Sequence, residues 1–352
     1  MPQSLTEQRP DPSRRRLLAA SSGLPALALL AACSPKPAAG SKGALGEARS
    51  VAFAVGTTGS DFVMEISLGV ADAAAMLGWR FTRILNAQPT PDAHINAIRQ
   101  AVMMHADVVV TVDWYQAVVD EIAAGMQRGS RFAVVNSLNN PDTLAPLQVP
   151  FVGQQPRDTG RLMGERIAAA LQARGIHEGS VLVGNPFPGS LNVEQRILGI
   201  GDGLAAVAGL RLVSFADNAA QDAATSAALY KAKITEVGNV VAHAVAGSEM
   251  SAIPLSKALA ELKDGRRALV GGWASSLKVL NLIKGGEMDF ALDENLYYQG
   301  FMAVLLAWSR LERQMAAVTM APGYAWVTPE TVDAMIASYE LRKASAARYG
   351  LT

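Results

Sequence analysis

Residues 51–77, Val-Ala-Phe-Ala-Val-Gly-Thr-Thr-Gly-Ser-Asp-Phe-Val-Met-Glu-Ile-Ser-Leu-Gly-Val-Ala-Asp-Ala-Ala-Ala-Met-Leu, hold the unit from which the rest of the chain is built. Val51–Val55 is an unbroken apolar run closed by Gly56, which reads as a strand buried on both faces of a parallel sheet. From Asp61 onward, Phe62, Ile66, Val70, Ala73, Ala74 and Leu77 recur at helical spacing, and Gly78 stops the helix. The same alternation continues through strands at 80–85, 108–111 and 132–135, with helices at 92–105 and 114–128 between them. Near 150–153 it starts again. Helices at 157–174, 191–207, 219–237, 250–262 and 296–313, with a shorter one ending near Lys284, alternate with strands at 180–183, 212–215, 239–244, 268–270 and 288–292. A strand at 324–327 follows, then a closing helix with Thr328 as its cap and Pro329 at its first position. This rhythm predicts α/β architecture: two doubly wound parallel-sheet lobes with right-handed crossovers. In such sheets ligands lie beyond the carboxyl ends of the strands, so two facing lobes place the site in the cleft between them and make hinged closure the natural motion.

Composition narrows the function. The chain has 352 residues, 50% of them apolar and 18% charged, and 31 Lys+Arg balance 31 Asp+Glu. A neutral balance argues against nucleic acid as a partner. A single cysteine, Cys33, excludes an internal disulfide, and the four histidines are scattered without ligand spacing, so no metal or cofactor is expected. The opening 32 residues read as an address. Arg14, Arg15 and Arg16 precede an uncharged, mostly apolar run from Leu17 to Ala32, which is too short to span a bilayer. Ser13-Arg14-Arg15-Arg16-Leu17-Leu18 resembles a twin-arginine export signal, with general secretion as the alternative. Leu30-Ala31-Ala32-Cys33 resembles a bacterial lipobox, which implies cleavage before Cys33 and lipidation of its sulfur. Residues 33–49 then form the anchor and a Pro/Gly-rich tether. The remaining chain is expected in the periplasm or cell envelope, held to a membrane.

Nothing in the sequence asks for catalysis. No Gly-x-Ser-x-Gly elbow and no phosphate-cradling loop is present. Gly199-Ile-Gly201-Asp-Gly203 falls inside a helical segment and reads as close helix packing. Asp293 and Glu294 are adjacent on a strand, point to opposite sides and make a poor acid–base pair. Asp113 is placed to cap the helix that follows it, and His94 and His105 read as surface or hydrogen-bonded groups.

From Val51 to about Val332 the chain resembles the ribose/galactose-type periplasmic binding proteins that feed ABC importers. Four stretches carry the likeness: the strand–loop–helix start 55–63; Arg196-Ile-Leu-Gly199-Ile200, similar to an Arg-x-x-Gly-Phe pattern; Ala291-Leu-Asp-Glu-Asn-Leu-Tyr-Tyr-Gln-Gly-Phe301, similar to that family's hinge motif; and Trp326-Val-Thr-Pro-Glu-Thr-Val332. The resemblance implies three interlobe crossings, near 150–153, 294–296 and 327. One lobe would then hold 50–151 plus 295–326 and the other 152–294 plus 327–352.

It also implies a ligand set. Ser60, Asp61 and Phe62 sit where the first loop meets the solute. Trp114 and Tyr115 follow the third strand, and Asn136 ends the fourth. Arg196 matches the ligand-binding arginine. Asn218 stands where several members have an aromatic residue, Gly247 or Ser248 where an Asn-Asp pair is usual, Trp273 where a carboxylate is usual, and Glu294 at the hinge glutamine. Glu294 is placed to pair with Arg196 or with a basic group on the ligand. The replacements make the pocket more aromatic than an ordinary ribose site. They suit a deoxy or methylated sugar, a polyol, a nucleoside or another cyclic solute. The function implied is an extracytoplasmic, monomeric solute-binding lipoprotein that passes a small sugar or sugar-like solute to ABC permease subunits. A receptor for a sensor kinase or chemoreceptor is the alternative.

Overall fold

The computed structural model describes residues 45–57, 60–86, 90–220, 222–262 and 268–352. The export signal with Arg14 and Arg15, the lipobox with Cys33 and most of the tether lie outside the described residues.

The first sheet is built on strands β1 (Ser50–Val55), β2 (Arg80–Leu85), β3 (Val108–Asp113), β4 (Arg131–Leu138) and β5 (Phe151–Gly153), with helices α1 (Asp61–Leu77), α2 (Pro91–Met103), α3 (Gln116–Gln127) and the short α4 (Pro141–Leu144) as connections. The second holds β6 (Glu178–Asn185), β7 (Gly209–Ala216), β8 (Val240–Val245), β9 (Leu269–Trp273) and β10 (Phe290–Asp293). Its helices are α5 (Pro156–Ala173), α6 (Leu191–Leu204), α7 (Ala223–Val237), α8 (Glu249–Leu262) and α9 (Leu277–Lys284). Then come α10 (Leu296–Arg313), β11 (Thr319–Met320), β12 (Ala325–Val327) and α11 (Val332–Ala347). Strand orders are β11-β5-β4-β3-β1-β2 and β12-β10-β9-β8-β6-β7, parallel throughout except that β12 runs antiparallel to β10. The chain therefore passes between sheets three times: after β5, between β10 and α10, and between β11 and β12.

Each sheet is covered on both faces, as the apolar runs of its central strands demand. In the first, β1, α1 and α10 share one cluster that includes Phe53, Val63, Ile66 and Val304, while Ile98, Val118 and Ile122 of α2 and α3 cover the other face. In the second, α5 and α6 cover one face and α7–α9 the other. The latter cluster reaches across to Met64, Leu68 and Ala71 of α1 and takes in Val332, Tyr339 and Ala346 of α11, so it joins the lobes.

Local signals set most boundaries. Ser60 caps α1, and Gly78 ends it in the left-handed conformation at φ 70°. The Gly199–Gly203 stretch packs α6 on α5: a Cβ on Gly199 or Gly203 would overlap the carbonyl oxygens of Arg157 and Arg161. Gly160 and Gly164 make the reciprocal approach to Arg196 and Ile200. Several expectations are corrected. The closing helix starts at Val332 rather than Pro329, because Thr328 is spent on a turn in which its N–H donates to Thr331 Oγ1 at 2.9 Å. Helix α7 begins at Ala223, where Asp222 accepts from the N–H groups of Ala224 and Thr225. The third crossing precedes Ala325 instead of falling near Val327, because β12 already pairs with β10.

Candidate functional site

At the carboxyl end of the second sheet, three distant segments converge on one guanidinium. Arg196 of α6 is 8% exposed, and its Nη2 donates to both carboxylate oxygens of Glu294, at 2.9 and 2.7 Å. Its Nη1 donates to the carbonyl of Ala246, at 3.4 Å. Its guanidinium carbon lies 4.5 Å from the ring centroid of Trp273, the last residue of β9. A buried ion pair survives only when its desolvation is offset by close geometry and further hydrogen bonds, and the flat guanidinium meets both needs by bringing one nitrogen to both carboxylate oxygens and another to a backbone carbonyl while stacking on an indole. Glu294 is held in turn through its own carbonyl, which accepts from Gln299 Nε2 at 2.9 Å. Gly271 leaves the space that Phe290 fills, since a Cβ there would press on its ring. Arg196 Nε and Trp273 Nε1 are buried without partners. The centre thus keeps two spare donors beside a carboxylate, a set suited to hydroxyl or carbonyl oxygens of a small solute.

The neighbouring strand ends carry Asn218 and Ser248, both in the left-handed conformation, at φ 55° and 51°. Ser248 Oγ donates to the Trp273 carbonyl at 2.9 Å and also bonds to Ser275 Oγ. The Asn218 turn rests on Asp217, a fully buried residue whose Oδ2 accepts from Tyr230 at 3.0 Å and Ser251 at 2.7 Å. Burial beside that carboxylate pushes the Tyr230 hydroxyl well above its ordinary pKa.

The carboxyl end of the first sheet presents an aromatic wall. Phe62 and Trp114 lie 5.9 Å apart, and His94 meets Trp114 and Tyr115 edge-on at 5.5 and 6.0 Å. His94 is not a surface group: it is fully buried, with Nε2 3.0 Å from Thr111 Oγ1, which donates to the Ala54 carbonyl. Burial pushes its pKa down to about 4, so the wall is backed by a neutral imidazole. Gly56 admits that helix turn, because a Cβ would collide with the His94 backbone. Asn136 is buried at φ 71°, and its Oδ1 accepts from Ser137.

The structure therefore gathers Arg196, Trp273 and Glu294 into one group, with Ser248 attached, and Phe62 with Trp114 into another. Ser60 and Asp61 have local duties. Ser60 Oγ accepts from Val63 N–H at 3.3 Å, and Asp61 Oδ2 accepts from Leu277 N–H at 3.0 Å, which ties α1 to α9 of the other lobe. Asp113 does not cap α3. Its carboxylate accepts from the backbone N–H groups of Asn139 and Asn140, both at 2.8 Å, and so holds the turn after β4. The supporting bonds of His94, Thr111, Asp217, Tyr230 and Ser251 were not legible in the sequence, because each joins partners apart in the chain.

The model of the periplasmic binding protein domain matches residues 51–314. A comparison with curated proteins found no match. Among solved structures, a glucose-galactose binding protein from Geobacillus stearothermophilus is similar at 17% identity and TM-score 0.71, over 81% of this chain and 98% of that one. A carbohydrate transporter solute-binding protein from Agrobacterium radiobacter in complex with D-arabinose is similar at 21% identity and TM-score 0.71, over 83% and 98%. An ABC transporter solute-binding protein from Bacillus halodurans with bound myo-inositol is similar at 18% identity and TM-score 0.70, over 83% and 98%. With two parallel-sheet lobes, three crossings between them and a family match over most of its length, the chain belongs to the periplasmic binding proteins.

Proposed function

We propose that this protein is an extracytoplasmic solute-binding lipoprotein, anchored through Cys33, that captures a small sugar or sugar-like solute between its lobes and delivers it to the permease of an ABC importer. The observation that carries the reading is the buried Arg196–Glu294 pair stacked on Trp273, with unpartnered donors on Arg196 and Trp273. A solute hydroxyl buried without a partner costs about 1–3 kcal/mol, so a polar solute needs such a set of fixed donors and acceptors. Phe62 and Trp114 supply the complementary surface for the apolar face of a ring. Solved relatives with bound D-arabinose and myo-inositol support a small polyhydroxylated cargo. Ser60, Asp61, Asn136, Asn218 and Ser248 are proposed to border the solute. Arg14 and Arg15 are proposed to direct export, with the protein acting as a monomer.

The test is a thermal-shift screen with pentoses, hexoses, deoxy and amino sugars, polyols and nucleosides. A ligand at 100 times its dissociation constant adds about 2.7 kcal/mol, a shift of a few degrees for a chain of this size. A response confined to one class identifies the cargo. A flat panel overturns the sugar reading and turns attention to aromatic or cationic solutes. Delivery to a permease, rather than signalling to a kinase, is tested by uptake of the identified solute in a strain lacking the protein.

A further inference from the structure

We infer that a second binding site, for a small organic ammonium ion, lies on the other side of the crossing between β10 and α10. A half-open cavity of about 440 Å³ is lined by α1, the start of α9, the crossing itself and α11. That volume lies within the range of small-molecule sites. Its lining carries three carboxylates, Glu65, Asp72 and Asp293, and one guanidinium, Arg342. Arg342 Nε donates to Glu65 Oε2 at 2.6 Å and its Nη1 to Ser338 Oγ at 2.6 Å. The other carboxylate oxygen, Glu65 Oε1, has no partner, and Glu65 is 5% exposed. An unpaired carboxylate oxygen buried to that degree is costly unless a cation or donor reaches it.

The rest of the wall selects the kind of cation. Leu68, Leu280, Leu296, Met335, Tyr297 and Tyr339 give part of it an apolar and aromatic surface, beside the hydroxyls of Ser275, Ser276 and Ser345. Among the described residues, no three carboxylate or imidazole groups cluster as metal ligands. A carboxylate at one end of an aromatic and aliphatic chamber matches a primary ammonium carried on an apolar frame, through charge pairing and cation–π contact. Desolvation raises the pKa of both Glu65 and Asp293 against the opposing pull of Arg342, and an ammonium beside them would favour their ionised forms.

The test uses benzylamine as the probe, titrated calorimetrically into the full chain, with benzyl alcohol as its neutral counterpart. Saturable binding of benzylamine is expected, at least tenfold tighter than that of benzyl alcohol. Glu65→Gln removes the charge, and Ser338→Phe, at an exposed lining position on α11, adds bulk to the cavity and removes one hydrogen bond from Arg342 while leaving all three carboxylates in the chain; each should weaken benzylamine at least tenfold. Both variants should keep whatever response the chain shows to the sugar panel. Absence of saturable binding, equal binding of the alcohol, or undiminished binding in Ser338→Phe overturns the inference. Should Glu65→Gln fail to fold by near-UV circular dichroism, Ser338→Phe decides alone. A flat sugar panel with intact benzylamine binding would instead overturn the proposed function and leave this site standing.

Discussion

Arg196 and Glu294 depend on one another, and that dependence separates binding from stability. Arg196→Met leaves a buried carboxyl group without its partner, an effect expected to cost about 3–5 kcal/mol in denaturant unfolding and to abolish solute binding. Arg196→Met with Glu294→Met should recover most of the stability, because apolar groups of similar volume replace a desolvated pair, while binding stays lost. A double variant that binds solute would remove Arg196 from the site. Two histidines make a second prediction. His94 and His243 are buried, and desolvation pushes both pKa values down to about 4 from 6.5 in an open chain. Above pH 6.5 both are neutral whether folded or not. As pH falls from 6.5 toward 4, the unfolded chain takes up protons that the folded chain refuses, and stability is lost across that window, on the order of 3 kcal/mol per histidine. Desolvated Glu65, Asp113 and Asp293, whose pKa values are raised, act in the opposite sense. Both ring nitrogens of His243 lack partners, so His243→Leu should flatten the fall in Tm between pH 6.5 and 4.5. An unchanged slope would show that its imidazole titrates normally.

Helix α6 presents Arg196 because it sits unusually close to α5. The four glycines at 160, 164, 199 and 203 let the two backbones meet, and a side chain at any of them must displace a carbonyl of the other helix. Gly199→Val is therefore expected to lower stability by about 1–3 kcal/mol, the range for overpacking, and to weaken solute binding by moving Arg196. Chemical denaturation and the sugar titration check both halves; a full loss of stability with intact binding would separate the helix contact from the site. Helix α1 is the first lobe's counterpart. Its Asp61 ties to the start of α9, its Glu65 to α11, and its Asp72 accepts from Tyr297 at 3.0 Å and from Tyr349 at 2.8 Å.

Across the whole molecule, α11 holds the lobes together on the α1 side. Lys284 of α9 pairs with Asp333, while Arg342 reaches Glu65 and Arg83 of β2 donates to the carbonyls of Leu351 and Gly350. Arg83→Ala combined with Arg342→Ala should loosen this seat and raise the radius of gyration of the solute-free protein in small-angle X-ray scattering. An unchanged radius would mean that the apolar cluster shared by α1, α9 and α11 holds the lobes unaided.

The sequence by itself determined the architecture of this protein, because strand and helix periods are local. Val51–Val55, Val108–Val112 and the glycine stops report their own burial, and two rounds of alternation imply two sheets. It also singled out Arg196 and Glu294 as candidates, since both fall in stretches that resemble a known family. Their pairing, across 98 residues, and the tie from Asp61 to Leu277, across 216, belong to the tertiary structure. So do the burial of His94, the anchoring of Asn218 by Asp217, the late start of α11 and the cavity that α11 lines. These are contacts between segments remote in sequence, and no local period encodes which remote group will meet a given side chain.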